Sequence, residues 1–219
     1  MTALSLERFF SPADHAAIAA AVHEVEAQSA AEIVPYAVER SDHYLLALWH
    51  AATLGSLLGA VVAAIVHWTA ELWGWPLVLW IVLPPAAGAA LGWLVTLLVP
   101  SVRRALVPGE VLATRVQQRA AQAFLDEEIF RTRDRTGILI FVSVFERRVV
   151  IRADRGLAAV VSPKEWEDIV AGIATGIRRC QPGPALAEGI RRCAGLAGRL
   201  PRRPDDRDEL SGQLRLGRE

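Results

Sequence analysis

The sequence predicts an α/β sandwich with a small mixed sheet, interrupted by a two-helix transmembrane hairpin. Three observations carry that reading. Two apolar runs without a single Lys, Arg, Asp or Glu lie at 45–68 and 75–99. Short apolar strands alternate with helical patterns before and after them. The first strand precedes the runs while its possible partners follow them, so the runs are an insertion within one discontinuous domain.

The elements follow in chain order. "SPADHAAIAAAVHEVEAQSA" opens with Ser11 as N-cap, Pro12 at the first helical position and Asp14 three residues after the cap. Ile18, Val22 and Val25 then share one face. "AEIVPYAVE", Ala31 to Glu39, reads as a strand, and Pro35 implies an edge position or a bulge because it donates nothing to a ladder. "MTALSLERFFSPADH" lacks the basic start and long apolar core of a signal peptide, so nothing in it is expected to export the N-terminus.

Each apolar run has about 24 residues, roughly 36 Å as a helix, against a hydrocarbon core of about 30 Å. The connection "TAELWG" permits only a tight hairpin, and Trp68, Trp73 and Trp75 beside it suit an interfacial belt. Gly55 and Gly59 in the first run, and Gly88 and Gly92 in the second, place small residues on one helix face. That spacing serves packing within the hairpin or against a second copy. Pro84 and Pro85 should kink or locally break the second helix. Arg40 precedes the hairpin and Arg103 and Arg104 follow it, whereas the connection carries only Glu71. Positive residues stay inside, which puts both ends on the cytoplasmic side. His50 and His67 are too far apart along the first run to share a site and read as interfacial.

Beyond the hairpin, Val116, Ala120, Ala123 and Phe124 fall at helical spacing. "GILIFVSV" is apolar on both faces, as a central strand is, and "VVIRAD" follows after a short corner and should pair with it antiparallel. Ser162, Pro163 and Glu165 repeat the helix-entry chemistry, with Trp166, Ile169, Val170, Ile173 and Ile177 on the inner face. A last helix runs over 185–200, and the charged remainder reads as a loose tail. The organisation is therefore 1–42, first part of the domain; 43–104, hairpin; 105–200, second part; and 201–219, tail.

Composition agrees with that partition. The 219 residues are 53% hydrophobic with mean hydropathy +0.28, and 24 basic side chains balance 24 acidic ones. The apolar excess sits in the two runs, and the zero net charge gives no support for a nucleic-acid partner. Cys180 and Cys193 read as buried reduced thiols on helices. His15 and His23, eight residues apart without a further ligand, do not read as a metal pair.

"SAAEIVPYAV", "RTGILIFVSVFERRVVIRADRGL", "EWEDIV" and "RDELSGQ" resemble the TPM domain, most closely its bacterial membrane-inserted branch. Asp208 departs from the Asn that usually precedes Glu-Leu in the tail. The resemblance implies a Rossmann-like α/β/α sandwich; with the two apolar runs and the flanking arginines, the expectation is a multi-pass protein of the bacterial inner (cytoplasmic) membrane with its soluble domain on the cytoplasmic side. The resemblance also implies two function classes. Some members are accessory proteins of membrane complexes, while acid phosphatase activity and divalent-metal binding are attributed to some plant members. No catalytic residue carries over.

The residues offer no G-x-S-x-G, Walker-type loop, H-E-x-x-H or C-x-x-C signature. The carboxylates fall into two groups, at opposite ends of the sheet. Asp42 and Glu146 belong to the end where the first strand leads into the bilayer, and Arg147 and Arg148 there suit lipid headgroups, as do Arg40, Arg103 and Arg104. Asp134 and Asp154 share the other end and are the candidate ligands of a divalent cation, Ca or Mg. The expected partners are the lipid bilayer and either another membrane protein or a second copy of the chain.

Overall fold

Residues 6–70, 75–197 and 212–217 are described in this computed structural model. The chain divides into two units, residues 42–112 and residues 2–41 with 113–219. In order, its elements are α1 (Leu6–Phe9), α2 (Pro12–Gln28), β1 (Glu32–Val38), α3 (Leu45–Ala70), α4 (Trp75–Leu98), α5 (Pro100–Ala105) and α6 (Gly109–Asp126). A 3-10 turn (Ile129–Arg131) leads to β2 (Gly137–Ser143), β3 (Arg148–Ala153), α7 (Arg155–Ala158), α8 (Pro163–Arg178), α9 (Pro182–Ala197) and β4 (Arg215–Gly217).

The larger unit is built on one sheet of order β3-β2-β1-β4. β1 and β2 run parallel from Glu32↔Gly137 to Val38↔Ser143. β3 returns antiparallel from Ser143↔Arg148 to Ile138↔Ala153, as the short corner demands. Two apolar layers enclose the sheet. Ile33, Ile138 and Ile140 join Ile18 and Val22 of α2, Ile169 of α8 and Ile190 of α9 on one face. Val34, Leu139 and Phe141 meet Val116 and Ala120 of α6 on the other. The result is the expected three-layer sandwich, with all seven residues of β2 buried. Caps fix the helix entries: Ser11 N–H donates to the Asp14 carboxylate at 2.8 Å, and Ser162 N–H to that of Glu165 at 2.9 Å.

Three expectations need correction. β4 lies in the segment read as a loose tail: Leu214 is buried, Leu216 packs on the core, and Arg215–Gly217 pairs parallel with Tyr36–Val38. β1 is consequently an interior strand, and Pro35 sits one residue before the β4 ladder begins. Cys180 is exposed in a turn beyond α8 at φ 59°, whereas Cys193 is buried as expected. Burial pushes the Cys193 thiol up to about 12, so it stays a protonated core group. The connection 71–74, including Trp73, the end of the last helix at 198–200, and 201–211 with most of the tail motif lie outside the described residues.

In the other unit, α3 and α4 pack along each other, and both are long and apolar enough to cross a membrane. A Cβ at Gly55 would strike the Gly88 carbonyl, and one at Gly88 the Gly55 carbonyl. Gly59 lies against the Pro84 backbone and Gly92 against that of Ala51. The small-residue stripes thus face each other inside the hairpin, backbone on backbone. α4 continues through Pro84 and Pro85, which a neighbouring helix makes tolerable. Most of the large outward side chains are Leu, Val and Ile, joined by Trp49, Trp68 and Trp93, and Leu46, Leu58, Val82 and Leu91 are all exposed.

Candidate functional site

Ligands of α/β sheets favour the carboxyl ends of parallel strands, and β1 and β2 end side by side. Val144 N–H donates to Val38 O at 3.1 Å and Phe145 N–H to Glu39 O at 2.9 Å, which extends their pairing past both strands. The corner then turns through Arg147 at φ 53° and folds Glu146 inward. Glu146 is fully buried. Its carboxylate accepts Ser41 N–H at 2.8 Å and the Ser143 hydroxyl, and the Ser41 and Ser143 hydroxyls lie 2.8 Å apart. The donors around this buried carboxyl group satisfy its oxygens. Chemically it joins the exit of β1 to the end of β2. It offers no general base to solvent.

At the opposite end, Asp154 N–H donates to Gly137 O at 2.9 Å and closes the β2–β3 ladder. The Asp154 side chain, 7% exposed, caps α7 through Arg155 N–H at 2.7 Å and accepts from Arg135 Nη1 at 3.4 Å. Gly156 N–H donates to Arg135 O at 3.0 Å, and a Cβ on Gly156 would lie 2.7 Å from the carbonyl oxygens of both Asp134 and Arg135. Only glycine allows that approach. The turns bearing Asp134 and Asp154 are therefore adjacent, but each Asp154 oxygen already accepts a hydrogen bond, one of them from a cation. A divalent ion between the two carboxylates would stand beside the Arg135 guanidinium, whose like charge opposes it. Among the described residues no three His, Cys, Asp or Glu side chains gather as a metal site.

Residues 98–196, a little under half of the sequence, match the family model described as the TPM domain. That segment is similar to a TPM domain. No curated protein matched the chain. Among solved structures, the NMR structure of the BA42 protein from the psychrophilic bacterium Bizionia argentinensis is similar in fold. It is 18% identical with a TM-score of 0.59, and the alignment covers 97% of this chain and 99% of that one. The matched segment begins at the end of α4 and includes β2 and β3 but neither β1 nor β4, although both belong to the same sheet. The strand before the apolar helices thus completes the sheet to which the matched strands belong.

The remaining candidates are placed as follows. Arg147 and Arg148 are exposed on the corner, and Arg40 is half-buried. Arg103 is buried, donating from Nε to Thr96 O at 3.3 Å and from Nη2 to Leu97 O at 3.4 Å. Arg104 is half-buried, and its Nε is buried without a hydrogen-bond partner. Asp42 Oδ1 accepts Tyr44 N–H at 3.4 Å, a local turn before α3. His50 and His67 are exposed on α3. Sequence reasoning missed Ser41 and Ser143: each is an ordinary serine at a strand end, and only the parallel pairing of β1 with β2 brings them to one carboxylate.

Proposed function

We propose that this TPM-domain protein is anchored in the bacterial inner membrane by its α3–α4 hairpin and serves a membrane protein complex as an accessory or scaffold module. The observation that carries this reading is the outward face of the hairpin. Its Leu, Val and Ile side chains are exposed over two spans, and contiguous apolar surface of that extent needs a nonpolar cover. The enclosed Glu146 and the capped Asp154 favour a recognition role over catalysis, because neither is paired with a nucleophile open to substrate. A second membrane protein or a second copy is the expected partner.

Topology tests the anchoring. Reporter fusions at Gly74 are expected to be periplasmic and fusions at Glu219 cytoplasmic; the reverse pattern would overturn the orientation. Purification from native membranes in mild detergent is expected to bring down a stoichiometric membrane partner, and recovery of the chain alone would count against the accessory role.

A second reading, a metal-dependent phosphoester hydrolase, draws on the family resemblance and on the approach of the Asp134 turn to Asp154. It requires Ca or Mg to bind Asp154 against the like charge of the Arg135 guanidinium. Under that reading purified protein hydrolyses a generic phosphoester with added metal, and Asp154→Ala abolishes the activity; activity that survives Asp154→Ala removes this site.

A further inference from the structure

We infer that the groove on the α3–α4 pair holds one anionic phospholipid, an acyl chain along its apolar length and the phosphate at Thr96 and Arg103. The inference rests on the membrane reading proposed above. Leu54, Leu58, Leu91 and Val95 are among the residues lining a groove of about 590 Å³ whose glycines bring the two backbones together. Its lining on α3 runs from Ala51 to Val62, about 17 Å at 1.5 Å per residue. Leucine, valine, alanine and glycine line that length, the nonpolar surface that a hydrocarbon chain covers.

One end of the groove is polar. Thr96 lines it, is 1% exposed, and its hydroxyl has no hydrogen-bond partner. Buried hydroxyls are normally paired, so this one points to a ligand atom. Arg103 stands at the same end, its guanidinium held against the carbonyls of Thr96 and Leu97. Val102 and Leu106, from α5 and just beyond it, line the groove there as well. Apolar walls thus meet a hydroxyl donor where α4 ends, and the Arg103 cation, outside the lining itself, is bonded to the backbone of Thr96 and Leu97. Phosphate oxygens accept from both kinds of donor, and the bond to a guanidinium is charge-assisted. The hydroxyl, the cation and the apolar groove together match the chemistry of a phospholipid with net negative charge.

The test uses the full chain, purified in dodecyl maltoside, stripped of lipid, and offered equal amounts of palmitoyl-oleoyl phosphatidylglycerol and phosphatidylcholine, with native mass spectrometry as readout. One lipid per chain is expected, phosphatidylglycerol being preferred by about fivefold for the basic residue it meets. Arg103→Gln should bring the two lipids to parity and Arg103→Lys should restore the preference. Ala87→Phe or Leu91→Trp, both at groove-lining positions, should abolish binding of either lipid. Wild-type stoichiometry in both groove variants, or equal binding of the two lipids by the wild type, overturns the site. So does a dimer in place of a lipid-bound monomer. Carbonate-washed membranes from the same cells separate this failure from failure of the anchoring: a chain that stays in the pellet but retains no lipid refutes the lipid site alone, whereas a chain in the supernatant refutes both.

Discussion

Glu146→Ala is expected to destabilise the sheet unit by about 3 kcal/mol, because it removes the acceptor shared by the part-buried Ser41 N–H and the buried Ser143 hydroxyl, each lost bond costing about 1–3 kcal/mol. The donors are Ser41 N–H and the Ser143 hydroxyl, one at the exit of β1 and the other at the end of β2. The lost carboxylate also opens a cavity at a fully buried position. Glu146→Gln keeps the volume and one acceptor, and should cost about half as much. Arg147→Ala, one residue along and exposed, should stay within about 0.5 kcal/mol. Urea unfolding followed by circular dichroism ranks the three variants, and hydrogen exchange locates the effect. Faster exchange in β1 and the end of β2 is expected for Glu146→Ala. A Glu146→Ala variant no less stable than Arg147→Ala would show that the carboxylate holds nothing together.

Glu146 also marks how far the sequence could be read. The corner "FERR" is plainly a turn between two apolar strands, and the strand ends follow from counting residues. Whether its carboxylate faces water or the interior depends on Ser41, which lies on the far side of the hairpin in sequence, and no local pattern encodes that meeting. β2 was legible because seven apolar or small residues in a row demand cover on both faces. β4 was not, because its signal is two leucines among charged residues, and its order comes from the free edge of β1 rather than from its own propensity. Asp134 and Asp154 were correctly brought to one end of the sheet by strand direction. Arg135 between them was invisible as a partner, because a residue at positive φ takes a direction that periodicity does not predict.

Gly88→Ala should loosen the α3–α4 hairpin by about 3 kcal/mol, near the upper range for overpacking a tight contact. The added Cβ alone is sufficient, since it meets the backbone carbonyl of Gly55 and not a side chain that rotates away. Gly88→Leu should therefore cost little more than Gly88→Ala, an order of effects that a side-chain clash would not produce. Gly109→Ala provides the contrast: nothing lies within 4 Å of a Cβ there, and replacing glycine at the start of α6 should be neutral or slightly stabilising. Thermal unfolding in dodecyl maltoside reads the stability, and light scattering corrected for detergent reads the mass. The expected result is a lower unfolding temperature for Gly88→Ala at unchanged mass. A fall in mass from two chains to one with unfolding unchanged would mean that the glycine stripe joins separate copies, because a contact inside one hairpin alters its stability without altering how many chains assemble.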